Sequence, residues 1–231
     1  MADVLGVLAL LIGLELVLGV DNILVISILV SRLKKEQQNR ARIIGLVLAM
    51  FARILLLFLL LKLTGLTEAV LFDFSIRDII LVLGGLFLIY KAVKEIHHIV
   101  ELKDEEDSGN SLKHTFSSVI SQIVLLDLVF SIDSVITAIG LTNEVWIIIT
   151  AVILSFSVIL IFARPIGDFI LANPALKILA LSFLISIGIT IFMEGLHTEV
   201  PKAYIYLPMG FALLVELLQM RYSKNKSEKL T

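Results

Sequence analysis

Two short stretches hold the residues most able to do chemistry. "ELVLGVDN" spans residues 15–22 and "DLVFSIDS" spans 127–134. In each, an acid is followed by Leu-Val, then by an Asp six residues after the acid, then by a small amide or hydroxyl residue. Both lie inside runs of Leu, Val and Ile. The donors on offer are carboxylate, amide and hydroxyl oxygen, with backbone carbonyl added where a helix opens. Imidazole is absent from both stretches, and the chain has no cysteine to supply sulfur. Oxygen-only sites suit the hard divalent ions Mg²⁺, Ca²⁺ and Mn²⁺ over zinc or copper. Asp21 and Asp133 could bridge one such ion, with Asn22 and Ser134 completing the shell.

Helical geometry limits how these groups meet. Six residues turn about 600°, which leaves Glu15 and Asp21 about 120° apart in azimuth and about 9 Å apart along the axis. Glu15 and Asn22 lie within about 20° of one face, as do Asp127 and Ser134. Gly19, between the acids, would permit a local break that swings Asp21 round and exposes carbonyls. Ser131 holds the equivalent place in the second stretch.

The elements that must position these acids cross a membrane. Of 231 residues, 58% are hydrophobic and 17% charged, with a mean hydropathy of +1.02. A soluble domain has roughly 45–50% apolar and about 25% charged residues. The apolar residues come in blocks of roughly 20, enough to cross about 30 Å of hydrocarbon as a helix. Seven spans are predicted: 4–31, 43–63, 78–95, 117–141, 145–163, 175–194 and 203–220. The first lacks a basic leader and a small-residue cleavage site, so it reads as a retained helix. A net charge of −2 gives no argument for nucleic acid. The lack of cysteine excludes disulfides and thiolate metal sites and leaves the redox compartment unreadable.

Lys and Arg fall mostly on one side. Arg32, Lys34, Lys35, Arg40 and Arg42 follow the first span, Lys91, Lys94, Lys103 and Lys113 surround the third loop, Arg164 and Lys177 flank the fifth, and the tail adds Arg221, Lys224, Lys226 and Lys229. The opposite side has only Lys62, Arg77 and Lys202, with Arg53 inside a span. The positive-inside rule then puts the N-terminus outside and the C-terminus in the cytoplasm.

The two acidic stretches are copies of one another, 112 residues apart. One span later, "FAR" at 51–53 recurs at 162–164. A span further on, "EIHH" at 95–98 and "EGLH" at 194–197 share Glu-x-x-His. Three tokens in the same order across three consecutive spans indicate duplication. Each copy has three helices, an odd number, so the halves cross the membrane in opposite directions. The predicted fold is thus all-α and polytopic: an inverted repeat of three plus three helices with one additional C-terminal helix. Repeat 1 covers 4–98, a cytoplasmic loop 99–116, repeat 2 117–197, the extra helix 203–220 and a basic tail 221–231, all in one transmembrane domain. Inverted repeats with polar helices near the midplane point to secondary transporters, with the site at the repeat interface.

An Asp near a helix centre costs about 2.5–3.5 kcal/mol, so these acids together would cost roughly 10 kcal/mol unpaired. Their partners must be Arg53 and Arg164, a bound cation, or protons. A purely structural reading pairs the acids with both arginines and locks the bundle. The arginines read as charge-balancing struts, and Arg164, just before Pro165, could snorkel to the cytoplasmic surface. Glu95, His97, His98, Glu194 and His197 lie at span ends, as ordinary interfacial groups or as a proton relay or entrance site. Glu216 in the last span could be a ligand or a bundle hydrogen-bonder. Trp146, Tyr204 and Tyr206 read as interfacial anchors.

The paired acidic motifs, followed by "HTEVPKAYIYLPMGFALLVELL" at 197–218, closely resemble the TerC family of bacterial membrane proteins over nearly the whole chain. That family is named for tellurium resistance, and several members are associated with manganese efflux. The resemblance implies export of a divalent cation, above all Mn²⁺, across a bacterial plasma membrane. It implies ligand motifs at Glu15, Asp21 and Asn22 with Asp127, Ser131, Asp133 and Ser134. The resulting expectation is a non-enzymatic, alternating-access exporter with no prosthetic group. Its partners are the bilayer, the ion and exchanged protons, with oligomers or partner proteins left open. No G-x-x-x-x-G-K-[ST] run is present to bind ATP. The alternative is a membrane scaffold or assembly partner for secreted or membrane proteins, in which the acids are structural. An intramembrane hydrolase is weaker, since H-E-x-x-H is absent, and an acidic site repels the tellurite oxyanion.

Overall fold

The computed structural model describes residues 2–62, 69–71, 74–101, 115–198, 200–201 and 203–228, except for the side chains of residues 2, 3, 18, 20, 21, 24, 69–71, 227 and 228. Among the described residues, seven helices follow in order: α1 (Ala2–Ser31), α2 (Lys35–Lys62), α3 (Ile76–Val100), α4 (Phe116–Leu141), α5 (Val145–Leu171), α6 (Pro174–Gly195) and α7 (Ala203–Glu228). Among the described residues, α2, α4, α5, α6 and α7 are each long and apolar enough to cross a membrane, and Val4–Val17 of α1 is a shorter apolar stretch.

Several boundaries differ from the sequence reading. The basic segment before the second span is the first two turns of α2, because its long side chains favour a helix once its apolar continuation is anchored. The fifth helix does not stop at Arg164 but runs through Pro165 to Leu171. The stretch read as a basic tail continues α7 to Glu228, and α3 runs past the third predicted span to Val100, taking in the first two residues of the loop assigned to 99–116. Most of the loop assigned to 99–116 lies outside the described residues. The fold is not purely helical either. Two short antiparallel strands, β1 (Ala69–Leu71) and β2 (Phe74–Ser75), precede α3. Ser75 then caps α3: its Oγ accepts from the Asp78 amide at 3.2 Å, and the Asp78 carboxylate accepts from the Ser75 amide at 2.8 Å. This reciprocal capping box satisfies two amides that the helix start would leave open.

The most extensive helix pairings are α3 with α6, α1 with α5 and α2 with α4. Their directions follow from which residues meet. Gly19 faces Ile159 and Gly167 faces Ser27, so α1 and α5 run parallel. Gly45 faces Ile123 while Arg53 reaches Ser131, so α2 and α4 are also parallel. In contrast, Arg77 near the start of α3 pairs with Glu194 near the end of α6, and Glu95 near the end of α3 pairs with Lys177 near the start of α6. Those two helices are antiparallel.

At the α3–α6 crossing there is no room for side chains. A Cβ on Gly85 would lie 2.6 Å from the Gly188 carbonyl oxygen. Small residues allow such backbone approach, and within lipid this packing replaces the hydrophobic drive that water would supply. The buried apolar residues Val30, Leu46, Leu81, Leu88, Ile123 and Phe156 fill the space between the helices. Outward-facing Leu55, Leu83, Ile161 and Leu207 stay exposed on the perimeter, as a lipid-facing surface requires.

Candidate functional site

The centre of the bundle holds a charge cluster built on Arg53. Its side chain is only 2% exposed. The guanidinium donates from Nε to the Ser131 hydroxyl at 2.7 Å, from Nη1 to the Glu15 carboxylate, and from Nη2 to Asp127 Oδ1 at 3.4 Å. Asn22 donates its side-chain amide to the same Asp127 oxygen at 3.1 Å, and Ser131 donates to Asp127 Oδ2 at 3.0 Å. The Arg53 guanidinium carbon stands 5.1 Å from the centre of the Phe156 ring. Helices α1, α2 and α4 thus each supply charge to one buried point, and α5 supplies an aromatic face.

The local reasons lie in the sequence. Glu15 and Asn22 share a helical face, so α1 presents acid and amide to the same neighbour. Asp127 and Ser131 are one turn apart on α4, and that spacing lets the hydroxyl hold the carboxylate. Gly19 lets α1 close on α5, because a Cβ there would overlap the Ile159 side chain. The helix break expected at Gly19 is absent. The backbone stays helical through it, since the glycine is needed for close approach and not for a turn.

The other proposed ligands separate. Asp133, six residues beyond Asp127 and so about 9 Å along α4, faces Arg77 at 4.0 Å. Ser134 donates to the Ser131 carbonyl at 3.2 Å within its own helix. The side chain of Asp21 lies outside the described residues, although its backbone belongs to α1. Among the described residues, no three or more His, Asp or Glu side chains group closely enough to hold a metal ion.

Two further clusters close the ends of the α3–α6 pair. At one end Arg77 meets Glu194, Asp133 and, at 3.6 Å, Asp78. His197 lies 3.0 Å from Asp78 and stacks on Phe74 with ring centres 5.3 Å apart. Asp133, Thr190, Glu194 and Tyr206 line a cavity of about 50 Å³ there. At the other end Glu95 takes Arg32 and, at 3.5 Å, Lys177. Arg32, Lys91 and Glu95 line a second cavity of about 30 Å³. His98 is half-buried beside His97, with ring centres 6.4 Å apart. Glu216 is half-buried on α7.

The structural pairing of the acids with both arginines holds for one of them only. Arg164 is 68% exposed and pairs with Asp168 at 3.6 Å on its own helix, far from Glu15 and Asp127. The sequence reading missed Arg32, Arg77 and Lys177 as partners and counted them only as topology signals. A usable sign was present. α3 and α6 each carry a base near the start and an acid near the end, so an antiparallel pair matches charge at both ends.

Apolar helices of membrane-spanning length around a buried ionic centre define an integral membrane protein of the polytopic helical class. The chain belongs to the TerC family: the integral membrane protein TerC family matches residues 2–230. It is 46% identical over 226 residues to the UPF0053 inner membrane protein YgdQ of Escherichia coli strain K12, covering 96% of this chain and 93% of that one. It is 45% identical over 213 residues to a UPF0053 protein of Haemophilus influenzae, covering 90% of each. The E. coli UPF0053 protein YegH is 40% identical and longer, with 43% of its length matched. No solved structure matches the chain.

Proposed function

We propose that this protein is a transporter that exports a divalent metal cation, Mn²⁺ foremost, from the cytoplasm. The carrying observation is the convergence of Glu15 and Asp127, from different helices, on one buried point with Asn22 and Ser131. Buried intramembrane carboxylates are costly and mark ion pathways more often than struts. Two carboxylates neutralise a divalent ion, while amide and hydroxyl oxygens fill out its shell. Asp21, Asp133 and Ser134 would complete the path above and below. The two small cavities beside Glu95 and Glu194 lie where each side would open.

Alternating access rests on seven spans arranged as an inverted repeat. The pairings α1–α5 and α4–α2 exchange when the first three helices are set on the second three, and α3–α6 maps onto itself, as such a repeat requires. Rocking one half against the other would expose the centre first to the cytoplasm and then outside, with protons as exchange ions. The charge asymmetry of the loops supports an outside N-terminus and a cytoplasmic C-terminus in a bacterial inner membrane.

The scaffold reading draws on the complete pairing of Glu15 and Asp127 with Arg53, the geometry of a strut. Uptake of Mn²⁺ into liposomes holding purified protein separates the two. Wild type should carry Mn²⁺, and Asp127→Asn and Asp21→Asn should not. Equal, folded preparations with no flux in any of them would leave the scaffold.

A further inference from the structure

Resting on the transport reading, we propose that Arg53 is a tethered counter-cation that fills the ion site in the empty protein and is displaced when the divalent ion binds. Every Asp127 oxygen is engaged: one by Asn22 and Arg53, the other by Ser131. The Glu15 carboxylate is held by the same guanidinium. A cation arriving between α1 and α4 has to take these oxygens from Arg53. The two ionised carboxylates and one guanidinium sum to one negative charge. A divalent ion in place of the guanidinium brings the carboxylate pair to zero, while the displaced guanidinium keeps its own charge beside the site.

Phe156 makes the exchange feasible within the protein. Its ring lies beside the guanidinium, and an aromatic face holds a desolvated arginine that has lost its carboxylates. The longer contact to Asp127, 3.4 Å, is the one that opens first.

The same arrangement governs the return of the empty transporter. A bare pair of carboxylates would carry two uncompensated charges through occlusion and reorientation, whereas a pair holding Arg53 carries one. Net transport requires that metal-free return, in which exchanged protons would ride on acids other than Glu15 and Asp127. Exchange of one metal ion for another across the membrane does not, because the site stays loaded in both directions.

The test compares two fluxes in liposomes: net Mn²⁺ uptake into metal-free vesicles, and counterflow of labelled Mn²⁺ into Mn²⁺-loaded vesicles. Arg53→Gln should retain counterflow while net uptake falls at least about tenfold, given the cost of an uncompensated charge in the bilayer. Arg53→Lys keeps the charge and should keep the wild-type ratio of the two fluxes. If Arg53→Gln does not fold, the Arg53→Lys ratio decides: a wild-type ratio supports the proposal, and a loss of net uptake alone overturns it. Arg53→Gln that loses both fluxes in a folded state, or keeps both, also overturns it. A wild type silent in both modes removes the transport reading itself, and this inference with it.

Discussion

The central cluster and the two end clusters use the same chemistry in different surroundings. At the centre, Arg53, Glu15 and Asp127 have side chains 2%, 7% and 3% exposed. At the ends, Arg77 and Lys177 are each 22% exposed and Glu194 18%, although Glu95, at 10%, is nearly as buried as Glu15. Burial decides what an ion pair is worth. An end pair that opens is rehydrated, and its contribution is small. A central pair that opens leaves bare charge in hydrocarbon, so its members depend on each other. The ends can therefore open at little cost, whereas the members of the central cluster hold one another in place.

The largest effect should come from removing the central arginine outright. Arg53→Ala should cost about 3–5 kcal/mol, because it strands two buried carboxylates. Thermal unfolding in detergent would read this, and adding Glu15→Ala should recover part of the loss. A single variant as stable as wild type would erase the difference between centre and ends.

Next in size is the crossing that keeps both ends in register. Gly85→Leu should cost about 1–3 kcal/mol by overpacking against the Gly188 backbone. Thermal unfolding in detergent would read this loss as well. Gly140→Ala, which meets nothing within 4 Å, is the matched control.

Smaller again are the ends themselves. Glu194→Gln should shift stability by about 1 kcal/mol or less. High salt should erase that difference, since the screening length shrinks to about 3 Å at 1 M. The central variants should be insensitive to salt. An Arg53→Ala penalty that disappears in salt would mean that the centre is wet.

Arg164→Ala should change least, within about 0.5 kcal/mol, because its carboxylate partner is exposed and lies on the same helix. Flux and melting temperature should both match wild type. A large loss there would restore the symmetry between the two "FAR" segments that the structure breaks.

That broken symmetry shows how far the sequence could be read. The repeated "FAR" made Arg53 and Arg164 look equivalent. Yet α2 turns its arginine inward to Glu15 and Asp127, while α5 turns Phe156 toward that point and leaves Arg164 on the surface. Gly19 was legible as a special position, but whether it marked a break or a close contact depended on Ile159, a residue 140 positions away. Glu15, Asn22, Asp127 and Ser131 could be singled out because acid, amide and hydroxyl in a run of leucines are conspicuous on one helix. Arg53 stood among their candidate partners, but that it meets them and Arg164 does not depends on how three helices rotate about their axes.

Apolar block length and charge placement, by themselves, determined where the helices lie and that the chain belongs in a membrane. Helix formation in lipid is compulsory, because each segment must satisfy its own backbone hydrogen bonds. Only the tertiary structure decided which acids share a cation and which do not. Helix rotation and crossing are set by packing between distant segments, through contacts such as Gly85 on Gly188, and no local pattern encodes those angles.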